Sequence, residues 1–249
     1  MMRVFLKEFM GSLHSLVAYI AIVVFLVGVG LPMWVFPETS VLDYGYADLS
    51  ALFNTAPYLL MLLAPALTMR SFAEEKRNGT LELLFTRPLT DVQIILGKFL
   101  AAWMVVLVAL VPTVIWYFSI SYLGNPQGNL DTPGIIGSYI GLMLLAGLFI
   151  SLGILASALS TSQVLAFLIG AVVCFLLYYG LDAVADLATE VLKVAFQRAD
   201  GILLKQLGAL YHYDALGKGL LDSRDLVYFI SLTALNLFVT SIVTSSRKW

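Results

Sequence analysis

Charge is what this sequence has least of. Only 12% of its 249 residues are Asp, Glu, Lys or Arg, where a soluble domain carries about 25%. Mean hydropathy is +0.93, so a water-soluble globule is excluded. Cysteine is nearly absent as well. Cys174 stands alone inside an apolar run, which excludes a disulfide framework and a cysteine-based metal site. A net charge of -2 and a pI near 5.6 leave no basic footprint for nucleic acid. The short alternating segments of an outer-membrane barrel are missing too.

Catalytic patterns are equally scarce. No GxxxxGK[ST] loop is present, since Gly97-Lys98 runs into Phe99 and Gly217-Lys218 into Gly219. Nucleotide-driven work would therefore need another chain. HExxH, a serine–histidine arrangement and paired carboxylates at membrane depth are all lacking, so the chain reads as a non-enzyme. His212 and Asp214 are too few to argue for a metal, and helix packing or an interfacial role is the expectation for them. His14 reads as an interfacial polar residue.

What is present is long apolar runs. No charged residue occurs at 9–37, 49–69, 99–130, 132–181 or 226–246. A spanning helix needs roughly 20 apolar residues, so four gaps hold one span each. The fifth holds two, divided at Ser160-Thr161-Ser162-Gln163. The expected fold is therefore all-α and polytopic, with spans near Leu16–Val35, Leu52–Met69, Phe99–Ser119, Gly134–Leu159, Val164–Gly180 and Leu226–Ser245. A cleaved signal accounts for one such run, not six.

An even number of spans puts both termini on one side. That side, with the loop 70–98, carries nine basic residues, against five on the other. The positive-inside rule counts Lys and Arg and makes the richer side cytoplasmic. No charged residue lies within a proposed span, which disfavours a proton-coupled carrier. The halves show no repeat, which disfavours an inverted-repeat carrier. Asn54, Thr55, Thr68, Thr113, Gln163 and Asn236 read as interhelical hydrogen-bonding groups.

Residues 3–15 read as an amphipathic helix at the cytoplasmic interface, with Phe5, Leu6, Phe9, Met10 and Leu13 on one face and Val4 as the misfit. A plain start to the first span is the alternative. Pro57 and Pro65 suggest a kinked second span. In the loop, Asn78-Gly79 marks a turn. Thr80 could cap a short helix through Arg87 with Leu81, Leu84 and Phe85 on one face, and Pro88 ends it. Thr90 caps the next helix. Such a loop is either a docking element or a structured connector. Gly137 and Gly141 form a GxxxG step and, with Gly147, permit close helix approach, within the bundle or against a second copy. Residues 181–225 read as one or two amphipathic helices on the outer leaflet, broken near Gly201.

The loop motif, with the six-span plan, resembles the ABC-2 type permeases, the membrane subunits of a class of ABC transporters. Arg70, Phe72-Ala73, Glu74-Glu75-Lys76-Arg77, Gly79-Thr80-Leu81-Glu82-Leu83-Leu84, Pro88 and Gly97-Lys98-Phe99-Leu100 carry the likeness. It implies one ABC-2 transmembrane domain over 1–249 with a type V exporter-like fold, the amphipathic start being the family's elbow helix. It implies a coupling helix over Glu74–Pro88, with Glu74, Glu75, Arg77, Gly79, Thr80, Leu81, Glu82, Leu84, Phe85, Arg87 and Pro88 docking on a separate ATPase. ATP and magnesium would be bound by that ATPase and no cofactor by this chain.

Two permeases, identical or homologous, would complete the complex in a bacterial inner membrane. The run 217–225 followed by Val227-Tyr228-Phe229 is similar to permeases of gliding-motility systems in Bacteroidota. That similarity implies an additional membrane subunit with a periplasmic domain. Permeases of the copper-site assembly system of nitrous oxide reductase share a version of the same ending. A non-transport membrane scaffold and an ATP-independent channel are the competing readings.

Overall fold

The computed structural model describes residues 2–44, 47–79, 90–125, 127–187, 205–219 and 222–246. The described elements are helical throughout: α1 (Met2–Leu13), α2 (Leu16–Trp34), α3 (Val41–Tyr44), α4 (Ser50–Thr68), α5 (Ala73–Arg77), α6 (Asp91–Leu123), α7 (Thr132–Leu159), α8 (Gln163–Phe175), α9 (Ala209–Gly217) and α10 (Ser223–Ser245). Beyond Phe175, α8 passes through a wide π-helical turn, Leu176–Gly180, and stays helical to Leu187. Six helices are long and apolar enough to cross a membrane. Large apolar side chains stand exposed along them, for example Tyr19, Ile20, Val23 and Val24 on α2 and Phe118 on α6. An apolar surface this extensive needs lipid to cover it. The chain is a multi-pass membrane protein.

Local chemistry sets the helix ends. The Thr90 hydroxyl accepts from the Gln93 amide at 3.4 Å, the Asp131 carboxylate from the Gly134 amide at 3.3 Å, and the Asp222 carboxylate from the Arg224 amide at 2.9 Å. Each satisfies a donor that the first turn of a helix leaves open. The polar break at 160–162 falls between α7 and α8, where the charge-free gap was divided. Helix α4 runs through both Pro57 and Pro65 without interruption.

Helix α7 is the hub. Of its most apolar stretch 78% is buried within the protein, against 17% for α10, so α7 packs on its neighbours while most of α10 stands on the bundle's surface. Polar groups bridge the bundle. Asn236 donates to the Ser151 hydroxyl at 3.1 Å, the Thr113 hydroxyl meets Tyr139 Oη at 3.1 Å, and the Trp103 indole donates to the Met143 carbonyl at 2.9 Å. Such bonds hold membrane helices together where apolar burial gives no preference. Asn236 and Thr113 thus act as interhelical links, and Thr68 bonds back to the Ala64 carbonyl of its own helix.

Helix α1 lies against the start of α6. Its buried side is set by Val4, which sits directly over Gly97, so the misfit of the amphipathic pattern is the residue that packs. Leu6 and Met10 remain exposed, on the face left for lipid.

Candidate functional site: the root of the 70–98 loop

The loop leaves the membrane at the end of α4 and returns at α6. Four residues beyond α4, the chain turns into α5, whose first amides need acceptors. They find one on another helix: the Ser157 hydroxyl oxygen accepts from the Phe72 and Ala73 amides at 3.0 and 3.1 Å and donates to the Met69 carbonyl at 3.1 Å. Lys76 Nζ donates to the Ala158 carbonyl next door. Both acceptors lie in the last turn of α7, where unpaired carbonyls and the helix dipole favour a cation. The short α5 is thereby bolted to the end of the hub helix.

A charge cluster ties in two more elements. Lys98, on α6, is only 3% exposed. Its ammonium lies 2.8 Å from Glu75 Oε1 on α5, 3.2 Å from Glu8 Oε1 on α1, and 5.2 Å from the centre of the buried Phe72 ring. An ammonium at this depth is tolerable only with such partners. Asp91, at the start of α6, accepts from the Ser245 hydroxyl at the end of α10 at 2.8 Å. The root of the loop therefore gathers α1, α4, α5, α6, α7 and α10 at one end of the bundle.

Of the residues assigned to coupling, Glu74 is half-buried on α5 and Glu75 turns inward to Lys98. Arg77 is exposed, and Gly79 follows with φ +67°, a backbone state that glycine adopts without cost. Thr80, Leu81, Glu82, Leu84, Phe85, Arg87 and Pro88 lie outside the described residues. Glu8, Phe72, Lys98 and Ser157 complete the arrangement, and no spacing rule pointed to Glu8 or Ser157 because their partners are 84 to 90 positions away.

The small-residue face of α7 serves the opposite end. A Cβ on Gly137 would run into the Leu216 carbonyl oxygen, and one on Gly141 would come within 3.1 Å of the Tyr213 ring. Both glycines seat α9 of the same chain. Gly147 lies beside Phe99 and Trp103 of α6. Tyr213 Oη donates to the Phe53 carbonyl at 2.9 Å. His212 pairs not with Asp214 but with Asp225 of α10, Nδ1 to Oδ1 at 2.6 Å. Its Nε2 faces the Gln206 carbonyl at 2.8 Å, and its ring stacks on Tyr228. Burial holds the Asp214 carboxyl above its usual range, partly offset by Lys218. Among the described residues, no group of three or more His, Cys, Asp or Glu is placed to hold a metal.

Six helices long and apolar enough to cross a membrane, with several of their ends gathered at the root of one loop, define an all-α polytopic membrane protein. The sequence matches the family described as ABC-2 family transporter protein over residues 2–247, and the chain belongs to that family. Its members are non-catalytic membrane subunits. No curated protein matches the chain.

Proposed function

We propose that this chain is the permease subunit of an ATP-binding cassette transporter, dimerising and working with separate ATPase subunits to move a substrate across a bacterial inner membrane. Both termini and the 70–98 loop face the cytoplasm, as the Lys and Arg bias indicates. The ATPase docks on Glu74–Pro88, with Leu81, Leu84 and Phe85 entering a groove and Glu82 and Arg87 fixing the register. The observation that carries this reading is the anchorage of α5. A push on the segment that follows α5 is delivered through Ser157 to α7 and through Lys98 to α6 and α1. A loose connector would need none of these ties.

The segment from Gly217 to Phe229 supports placement in a gliding-motility system, with a further membrane subunit bearing a periplasmic domain. A copper-site assembly exporter shares that ending and is the second reading. The coupling assignment is tested by Glu82→Gln combined with Leu84→Ala. The double variant should insert and keep its thermal midpoint, yet retain the ATPase about thirtyfold less well on gentle solubilisation, the size of a lost interface hot spot. Undiminished retention would contradict the assignment.

A further inference from the structure

Beside the Lys98 cluster lies a half-open cavity of about 330 Å³, lined by α1, the start of α2, the end of α4, α5 and α6, with Arg70 exposed at its mouth. Its lining is graded. At the outer end stand Ser12, Ser15, Arg70, Ser71 and Glu74, and toward the membrane the wall is made of Ala18, Ala66, Ala101 and Ala102. The polar end meets the aqueous boundary where α1 lies, and the small alanines leave room at the depth of the acyl region. Water-soluble ligands have no use for such a gradient, whereas an amphiphile matches it.

The charges narrow the ligand. Lys98 is already matched by Glu8 and Glu75. Arg70 and Glu74 line the same cavity, yet they form no ion pair with each other or with any described residue. The hydroxyls of Ser12, Ser15 and Ser71 likewise make no hydrogen bond to any described residue. One cation and one carboxylate, held apart in one cavity, suit a molecule that carries both a phosphate and an ammonium. An anionic lipid would meet three carboxylates here against two cations, and a quaternary ammonium could not donate to Glu74.

We propose that this cavity binds the head group of an aminophospholipid, phosphate on Arg70 and the serine hydroxyls, primary ammonium on Glu74. The site goes beyond the coupling reading: it takes Glu74, at the first edge of the docking segment, for the lipid and leaves the residues from Arg77 onward to the ATPase. Lipid bound there would sit against α5 and the elbow-like α1, the parts that carry the loop.

Native mass spectrometry of the gently solubilised, assembled protein tests it, with dihexanoyl phosphatidylethanolamine, phosphatidylcholine and phosphatidylglycerol as probes and O-phosphoethanolamine as the soluble head group. Phosphatidylethanolamine should bind at least about tenfold more tightly than phosphatidylcholine, the lower end of what one charge-assisted hydrogen bond provides. Glu74→Gln should erase that preference without weakening phosphatidylcholine, and Arg70→Gln should weaken both. Three results would each overturn the proposal: equal binding of the two zwitterionic lipids, tighter phosphatidylglycerol, or a preference that survives Glu74→Gln. O-phosphoethanolamine binding as tightly as the lipid would also overturn it, in favour of a soluble ligand. The lipid comparison on the unmodified protein needs no variant to fold.

Discussion

The two ends of helix α7 hold their neighbours by different physics. At its C-terminal end, Ser157 and the Ala158 carbonyl grip α5 with directional hydrogen bonds, and the buried Lys98 cluster reinforces them. At its N-terminal end, Gly137 and Gly141 seat α9 by close backbone approach, with the Tyr213 hydroxyl as the main polar tie nearby. Directional bonds and ion pairs transmit force along a defined line and can be broken one at a time. A steric seat resists closer approach and sliding and contains no directional bond. The loop end is thus held by separable directional contacts, and the opposite end by close fit.

Breaking the charged end should cost most. Lys98→Met takes from Glu75 and Glu8 the buried ammonium that they share. Removing one member of a buried pair costs about 3–5 kcal/mol, and the partly exposed glutamates reduce this to about 2–4 kcal/mol. The thermal midpoint in detergent should fall accordingly, and adding Glu75→Gln should restore part of it. The steric end comes next. Gly137→Leu forces α9 off its seat, at about 1–3 kcal/mol, and hydrogen exchange should speed up in α9 while α5 stays protected. That spatial split sharpens the comparison, because Lys98→Met should do the reverse.

Ser157→Ala should be milder, about 1–2 kcal/mol, because two buried amides lose their acceptor. Its signature is faster exchange at Phe72 and Ala73. The smallest effect is at Asp214. A carboxyl whose folded value lies above its unfolded value of about 4 favours folding when protonated. That contribution is complete below the unfolded value and is lost as pH rises through the folded one. Asp214→Asn should therefore raise the midpoint slightly at neutral pH and leave it unchanged in acid.

The spans were legible because a charge gap is a one-dimensional signal, and so were the break at 160–162 and the Thr90 cap, which depend on near neighbours. The partners of buried polar groups were not. Lys98 stands at the edge of an apolar run and stands out in the sequence only through its motif, yet it meets a carboxylate 90 positions away. Ser157 reads as one more small residue in a packing stripe, yet its hydroxyl serves two amides at once. His212 looked toward Asp214 by proximity in the chain, but helical geometry turns the ring to Asp225. Val4 broke the amphipathic pattern because the pattern assumed lipid on one side and water on the other, with no place for a second helix.

A permease subunit driven by a separate ATPase must leave the native membrane together with it. The direct measurement is the mass and subunit ratio of the complex recovered by gentle solubilisation from the native membrane. Two permease-type chains with two ATPase chains is the predicted result. A lone bundle, free of any ATPase even after mild crosslinking, would contradict it.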